Sequence, residues 1–363
     1  MLDNLRNTFK GKRVLITGHT GFKGSWLSLW LIELGAEVIG YALDPPSNPS
    51  LFEICGLNKK LLSIKGDVRN FKTLRHVFTT HKPDIVFHMA AQSLVRYSYR
   101  EPLETYNTNV MGTLNTLEIC RLEPSVKAII NVTSDKCYDN REWIWGYREI
   151  DPIGGADPYS SSKACAELVT RAYIESFFNS DCHSDYETFL ASVRAGNVIG
   201  GGDWGEDRLI PDCIKALTRK KPIVIRYPEA VRPWQHVLEP LYGYLLVARH
   251  LLENGPEFSG AWNFGPYDRD AKPVKWIADR IVEMWGNGAS WIPDLKKNPQ
   301  EARYLKLDSS KAQQSIGWSP QWNVEMALAQ TIEWYKDYSR GKDMLTATIN
   351  HIRAYEDALQ NMQ

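Results

Sequence analysis

The apolar residues of this 363-residue chain fall in short runs that alternate with segments of helical periodicity. Phe22, Trp26, Leu29 and Trp30 recur at three- and four-residue spacing, which predicts a helix over about 22–34. Six runs are predicted strands: RVLITG (13–18), AEVIGYAL (36–43), LLSIKGDV (61–68), IVFHMAA (85–91), AIINVTS (128–134) and TFLASVRAGNVIG (188–200). Strands that alternate with helices predict an α/β protein with a doubly wound parallel sheet.

The pattern changes after residue 198. Segments 200–212 and 226–237 are rich in Gly, Pro, Arg and Trp, as expected of loops around a pocket. A predicted helix over 239–255 and a last strand, GAWNFGP (260–266), then return to the sheet. We therefore expect residues 1–198 and 238–268 to form the sheet domain. Residues 199–237 and 269–363 would form a smaller C-terminal lobe.

A glycine triplet follows the first strand directly. TGHTGFKG places Gly18, Gly21 and Gly24 three residues apart, where a strand turns into a helix. Such glycines allow the tight turn, the approach of backbone to a pyrophosphate and the close packing of helix on strand. The spacing predicts a Rossmann-type dinucleotide-binding domain, and the alternative is a tight turn without a ligand.

Two aspartates follow the next strands. Asp44 ends the second strand, where a carboxylate accepts hydrogen bonds from an adenosine ribose and repels a 2′-phosphate, so NAD is favoured over NADP. The alternative for Asp44 is a turn aspartate before the following prolines. Asp67 ends the third strand, within reach of an adenine amine, and its alternative is a helix N-cap.

A tyrosine and a lysine stand four residues apart in YSSSK. This spacing puts Tyr159 and Lys163 on one face of a helix, downstream of Ser134 at the end of the fifth strand. A phenol has an ordinary pKa near 10 and becomes a useful base only when nearby positive charge favours the phenolate. Downstream of the glycine turn, these three residues form a specific rather than a chance pattern, in which Lys163 and a positive nicotinamide would favour the phenolate.

The motifs TGHTGFKG, HMAAQSLV, NVTSDKCY, YSSSK and RAGNVIGGGDW resemble the extended short-chain dehydrogenase/reductases, and among them the nucleotide-sugar 4,6-dehydratases. The resemblance implies a bound NAD, a C-terminal lobe that binds the substrate, and a homodimer formed through helices near 104–122 and 159–178. Whether dimers associate further stays open. It also implies cofactor contacts from Thr20, Phe22 and Ala90, besides the residues already named.

The reaction of this family implies catalytic roles for Asp135 and Lys136. Members oxidise the sugar 4-hydroxyl, eliminate water across C5 and C6, and return the hydride to C6. Tyr159, Ser134 and Lys163 would serve the oxidation. Asp135 would then be the acid for the departing 6-hydroxyl. The well-known dTDP-glucose dehydratases carry glutamate where this chain has Lys136.

Lys136 is our hypothesis for the C5 base. A lysine can take a proton only when it is neutral, so burial and neighbouring positive charge would have to lower its pKa from about 10.4 by several units. The plainer alternative is that Lys136 pairs with Asp135 or orders the substrate.

The resemblance also implies a nucleoside diphosphate sugar as the small-molecule substrate, and CDP-glucose is favoured. Its expected contacts are Asn197, Arg208 and Arg232, with Arg303 and Tyr304 as further candidates from the C-terminal lobe. The alternatives are a 4-epimerase or a dehydratase of a different nucleotide sugar. A non-enzymatic dinucleotide sensor would have no use for the catalytic residues.

Composition excludes several other partners. The 43 basic and 43 acidic residues give a formal net charge of zero, which disfavours nucleic acid and anionic membranes as partners. No apolar run approaches the roughly 20 residues that cross a bilayer, and no signal peptide precedes the first strand. The six cysteines are scattered, so we expect no metal site and a reducing, cytoplasmic setting.

Overall fold

The computed structural model describes residues 2–178, 187–294 and 304–361. All seven strands predicted for the large sheet are present, and the run at 188–200 divides into a long and a short strand. The strands are β1 (Arg13–Thr17), β2 (Glu37–Ala42), β3 (Leu62–Lys65), β4 (Ile85–His88), β5 (Ala128–Val132), β6 (Phe189–Ala195), β7 (Val198–Ile199), β8 (Ile223–Ile225), β9 (Val231–Pro233), β10 (Gln235–His236), β11 (Gly260–Phe264), β12 (Ala271–Pro273) and β13 (Trp291–Pro293).

The helices occupy the predicted positions between the strands. The helix predicted over about 22–34 runs from Phe22 to Glu33. They are α1 (Leu2–Phe9), α2 (Phe22–Glu33), α3 (Leu51–Ile54), α4 (Phe71–His81), α5 (Val95–Arg100), α6 (Pro102–Tyr106), α7 (Gly112–Leu122), α8 (Pro158–Phe177), α9 (Leu209–Thr218), α10 (Leu238–Asn254), α11 (Val274–Trp285), α12 (Ser310–Ile316), α13 (Val324–Ser339) and α14 (Met344–Gln360).

The large sheet has the order β11-β6-β5-β4-β1-β2-β3, and every neighbouring pair is parallel. The strand order reverses between β1 and β4, because β1 is followed in the chain by β2 on its other side. In doubly wound sheets, ligands bind in the crevice at the carboxyl ends of the strands beside such a reversal. The fold therefore confirms the predicted Rossmann-type sheet and locates its binding edge.

The second lobe is built from short elements around the opposite side of that crevice. Its strands form two-stranded sheets, β12 with β9 and β13 with β8, while β10 pairs with β7. Helix α10 and strand β11 return to the large sheet as the sequence predicts. In the described ranges no helix is long and apolar enough to cross a membrane.

Helix α14 packs on α13, where Trp334 donates to the Thr348 hydroxyl at 3.0 Å, and also on the first two helices. Trp30 in α2 donates its indole N–H to Glu356 of α14 at 2.8 Å, and its ring meets the Tyr355 ring edge-on at 5.7 Å. Arg6 in α1 also pairs with Glu356. The last helix thus packs on the sheet domain, since it covers the apolar residues that α1 and α2 leave exposed on that side.

A buried carboxylate joins three segments of the core. Glu239, in the first turn of α10, accepts the backbone N–H groups of Gln321 and Trp322 and the Tyr355 hydroxyl, at 2.7–3.1 Å. Burial raises the pKa of Glu239 from 4.5 to about 7, against these hydrogen bonds. The folded chain therefore holds the Glu239 proton more tightly than the unfolded chain does.

This raised pKa makes stability depend on pH. The contribution of Glu239 is fully present below pH 4.5 and is lost as the pH rises through about 7, a change of about 3 kcal/mol. Between pH 5 and 7 the unfolding free energy of the wild type should fall, in part because of Glu239. Glu239→Gln keeps an acceptor and stays neutral, so its unfolding free energy should fall less over the same pH range. Urea unfolding at several pH values measures it. The exposed Glu257→Gln is the control, and an unchanged pH dependence in Glu239→Gln would contradict the assignment.

Candidate active site

A cleft of about 1350 Å³ opens at the carboxyl edge of the sheet and is closed on its far side by the second lobe. The sequence-predicted residues that line it are Gly18, Thr20, Gly21, Phe22, Gly24, Asp44, Asp67, Ala90, Ser134, Asp135, Lys136, Tyr159, Lys163, Asn197, Arg208 and Arg232. Tyr304 does not line this cleft: it is exposed, and its carbonyl accepts the Asn140 side chain at 3.0 Å. Arg303 lies outside the described residues.

Two glycines of the turn, Gly18 and Gly24, have no room for a side chain, whereas Gly21 faces the cleft. Gly18 has a φ of +78°, and a Cβ there would stand 2.8 Å from the backbone nitrogen of Ala90. A Cβ on Gly24 would stand 2.3 Å from the Gly18 carbonyl oxygen. At Gly21 the nearest atom to such a Cβ is 3.4 Å away, so the backbone faces open cleft at the N-terminus of α2. This cradle fits a pyrophosphate.

Each predicted adenosine contact has a cation beside it. Asp44 is exposed and accepts from the Lys65 ammonium at 2.5 Å. Asp67 accepts from the Arg69 guanidinium at 2.6 Å, and these hydrogen bonds lower the pKa of Asp67. Both aspartates line the cleft with a cation beside them, and Lys65 weakens the repulsion that Asp44 would offer a 2′-phosphate.

Ser134 and Asp135 stand where β5 turns into a short 3₁₀ helix. The Ser134 hydroxyl accepts the backbone N–H of Lys136 at 3.2 Å and donates to Oδ1 of Asp135 at 3.0 Å. Burial raises the pKa of Asp135, whereas the charges of Lys136 and Lys23 lower it. The site therefore contains a buried carboxyl group whose protonated form is favoured by desolvation.

Tyr159 is the buried phenol of the site. Burial raises the pKa of Tyr159 to about 12, while a hydrogen bond with the Ser134 side chain and the charge of Arg208 act in the opposite direction. Arg208 itself holds both carboxylate oxygens of Asp203, at 3.0 and 3.2 Å. The positive charge of Arg208 thus favours the phenolate form of Tyr159.

The two predicted lysines differ in their surroundings. Lys163 is buried one turn after Tyr159, and its ammonium donates to the Val132 carbonyl at 3.3 Å. Burial lowers the pKa of Lys163 to about 8. Lys136 is half-buried at the cleft wall, and among the described residues no carboxylate forms an ion pair with its ammonium. The charge of Lys136 nevertheless acts on Asp135, whose pKa it lowers, so an electrostatic role for Lys136 stays open beside that of a base.

A buried ion pair lies directly beneath these residues. Glu167, one turn after Lys163 on α8, accepts from Arg194 of β6 at 2.7 Å, and the Thr133 hydroxyl donates to its other oxygen. Arg194 also donates to the Tyr138 hydroxyl at 2.6 Å. Arg194 therefore joins β6 to its neighbours beneath the site.

Lys23, between Phe22 and Gly24 of the glycine turn, also lines the cleft, although the sequence motifs did not indicate it. Its ammonium donates to the Tyr244 hydroxyl at 3.1 Å. Burial and the charge of Lys163 lower the pKa of Lys23 to about 7. A lysine in the first turn of a helix opposes the helix dipole, and that unfavourable position was the available signal.

His88 is a structural residue on β4. Its ring nitrogens lie 2.8 Å from the Thr17 hydroxyl and 3.1 Å from the Thr113 hydroxyl. Burial lowers the pKa of His88 to about 3. Within residues 2–178, 187–294 and 304–361 there is no group of three His, Cys, Asp or Glu side chains that could hold a metal ion.

The glycine cradle, the buried Tyr–x–x–x–Lys pair and the adjoining serine define an enzyme of the extended short-chain dehydrogenase/reductase class. The chain belongs to the GDP-mannose 4,6 dehydratase family, whose family model matches residues 15–255. It is 56% identical to a CDP-glucose 4,6-dehydratase of Salmonella typhimurium over 353 residues, 97% of this chain and 98% of the relative.

More distantly similar proteins include enzymes that are named for other activities. A UDP-glucose 4-epimerase of Halalkalibacterium halodurans is 29% identical, over 90% of this chain and 97% of the relative. The fold is shared with a UDP-glucose 4-epimerase of Thermotoga maritima (TM-score 0.77, 24% identity, 90% and 99% coverage). The same fold is also found in a dTDP-glucose 4,6-dehydratase of Bacillus anthracis (TM-score 0.73, 21% identity, 92% and 100% coverage).

Two glycines with similar backbone angles separate strain from steric exclusion. Gly11 has a φ of +70° and nothing within 4 Å of a Cβ, whereas Gly18 has a φ of +78° and the Ala90 backbone in contact. Gly11→Ala should introduce only the strain of a left-handed alanine, which lowers the free energy of unfolding by about 1 kcal/mol. It should bind NAD normally. Gly18→Ala should also weaken NAD binding by at least about tenfold, or ~1.4 kcal/mol. Calorimetric titration with NAD measures both, and equal effects of the two variants would contradict the cradle.

Proposed function

We propose that the chain is a lyase that converts CDP-glucose into CDP-4-dehydro-6-deoxyglucose and water. The observation that carries this proposal is the pair Asp135 and Lys136 beside Ser134 and Tyr159 in one cleft, in a chain 56% identical to a CDP-glucose 4,6-dehydratase. Oxidation and reduction alone would need only the tyrosine, serine and lysine. An adjoining acid and amine supply what the removal of water needs in addition.

NAD is the cofactor that the site fits best. The Gly21 backbone and the N-terminus of α2 would hold its pyrophosphate, and Asp44 its adenosine ribose. NAD bound there would supply reversible hydride transfer, from C4 of the sugar and back to C6, without net consumption of the cofactor. Lys163 lines the same cleft, where its ammonium can hold the nicotinamide ribose.

Oxidation requires a base for the sugar 4-hydroxyl. Tyr159 takes this role as phenolate, with Ser134 hydrogen-bonding the same oxygen. The phenolate form needs positive charge, because burial raises the pKa of Tyr159 to about 12. Arg208 provides part of that charge, and the oxidised nicotinamide ring would add to it.

Elimination requires a base at C5 and an acid at the 6-hydroxyl. The C4 ketone acidifies the C5 proton, and Lys136 in its neutral form takes it. Asp135 in its protonated form donates to the 6-hydroxyl, and the C6–O bond breaks to release water. The two assignments support each other, since an uncharged Asp135 does not hold the Lys136 proton by attraction.

The contacts of the substrate are also proposals. Asn197, Arg208 and Arg232 line the cleft and would bind the sugar and its diphosphate. We further propose a homodimer through the surface of α6, α7 and α8. The exposed apolar residues there fit a second copy: Leu103, Met111, Leu122, Leu168 and Phe177.

One assay separates the proposed reaction from its alternatives. Purified protein incubated with CDP-glucose should form a 4-keto sugar, followed by its absorbance in alkali, while dTDP-glucose, UDP-glucose and GDP-mannose should react at least about tenfold more slowly. Parallel incubations with and without added NAD test the cofactor.

The alternative outcomes are informative. Faster conversion of another nucleotide sugar would keep the dehydratase and change its substrate. Formation of the galactose epimer without a keto product would favour the 4-epimerase, whose fold this chain shares. A protein that binds NAD but converts no sugar would agree with a dinucleotide sensor.

Lys136 and Asp135 can be tested separately in heavy water. Asp135→Asn should still oxidise C4 and exchange the C5 proton, so recovered CDP-glucose gains deuterium at C5 while little water is expelled. Lys136→Met should suppress C5 exchange by about 10²-fold or more, because it removes the base. Mass spectrometry of the recovered sugar measures the label. Undiminished exchange in Lys136→Met would mean that another group is the base.

A further inference from the structure

The segment 203–208 runs along the rim of the cleft and contacts both of its walls. At one end, the carbonyl of Asp203 accepts the Tyr335 hydroxyl of α13, which fixes the segment to the second lobe. At the other end, Arg208 donates to the Ser93 hydroxyl at 3.2 Å. Ser93 lies between β4 and α5, so this contact is with the sheet domain. The segment therefore joins the two lobes across the proposed substrate site.

Asp207, within this segment, holds one arginine from each side of the cleft. Its Oδ1 atom accepts from Arg96 of α5 at 3.2 Å and from Arg226, which follows β8, at 3.1 Å. Arg226 also donates to the Asp207 carbonyl at 3.4 Å. Because α5 belongs to the sheet domain and β8 to the second lobe, one carboxylate oxygen links the lobes. The three side chains are 23–43% exposed, so the strength of this link depends on salt.

The backbone at Asp207 lets two adjacent side chains reach different partners. Asp207 has a φ of +57°, in the left-handed region that aspartate and asparagine adopt more readily than most residues. Its carboxylate meets Arg96 and Arg226 at the rim, while the next side chain, Arg208, extends to Ser93. The position of Arg208 is therefore tied to the ion pairs of Asp207.

We propose that Asp207 is a positioning residue that holds the cleft closed over the nucleotide and keeps Arg208 against its diphosphate. Separation of the two lobes at this rim requires Arg96 to leave Asp207, so the ion pair slows the departure of a bound nucleotide. NAD is held by the glycine cradle and does not depend on this rim. The inference rests on the proposed function, because it takes a CDP-sugar as the substrate and Arg208 as its contact.

Asp207→Asn removes the charge and keeps a side chain that tolerates the left-handed backbone. In the presence of NAD, this variant should release CDP about three- to tenfold faster than the wild type, since a partly exposed ion pair contributes a modest free energy. Arg96→Met should also speed release. The double variant should release CDP no faster than Asp207→Asn, because Arg96 has already lost its partner there. The affinity for NAD should stay unchanged in all three variants.

Stopped-flow fluorescence measures the release. Protein loaded with NAD and with CDP that carries an N-methylanthraniloyl group on its ribose is mixed with an excess of unlabelled CDP. Added salt should speed release from the wild type more than from Asp207→Asn, because it screens the ion pair that the variant lacks. Glu206→Gln makes the same change of charge at the neighbouring exposed residue, and as the matched control it should release CDP at the wild-type rate.

The outcomes separate this inference from the proposed function. Equal release rates in the wild type and Asp207→Asn, or equal acceleration in Glu206→Gln, would overturn the role of Asp207 and leave the dehydratase intact. A wild type that binds no labelled CDP would refute the proposed function and this inference with it. In the keto-sugar assay, Asp207→Asn should raise KM for CDP-glucose while kcat stays within about twofold, and a loss confined to kcat would contradict a role in holding the nucleotide.

Discussion

The candidate catalytic residues are held in one arrangement by the buried ion pair between Glu167 and Arg194. Glu167 belongs to α8, the helix that carries Tyr159 and Lys163, while Arg194 belongs to the neighbouring strand β6. The Thr133 hydroxyl, at the end of β5, donates to the same carboxylate. Removal of one partner from such a pair leaves a buried charge and costs about 3–5 kcal/mol. Helix, strand end and sheet are thus fixed to one another at a single point below the cleft.

The cleft above this pair has an excess of positive charge. The positive charges of Lys136, Lys23 and Arg232 favour the ionised form of Asp135, while burial favours its protonated form. A bound diphosphate brings negative charge and offsets the cations, so it favours the protonated form that an acid catalyst needs. Substrate binding would therefore prepare Asp135 for its step. Empty and occupied sites would differ in protonation even where no side chain moves.

The sheet was predictable because it follows local patterns, and so was the grouping of the candidate catalytic residues in one cleft. Strands such as β1 and β5 are continuous apolar runs, and the spacing of Tyr159 and Lys163 is a helical repeat. Residues that act through distant partners were not predictable. No pattern indicates that Arg208 is held by Asp203, or that its charge favours the Tyr159 phenolate. The packing of α14 on the first helices depends equally on contacts more than 300 residues apart.

That last contact has a consequence for biosynthesis. Trp30 and its neighbours on α2 emerge from the ribosome early, but Glu356, which accepts the Trp30 indole N–H, is translated 326 residues later. During most of translation the nascent domain would show an uncovered aromatic face, of the kind that chaperones bind. Loss of the final helix would then leave a protein with an intact cofactor cradle that is nevertheless prone to aggregate.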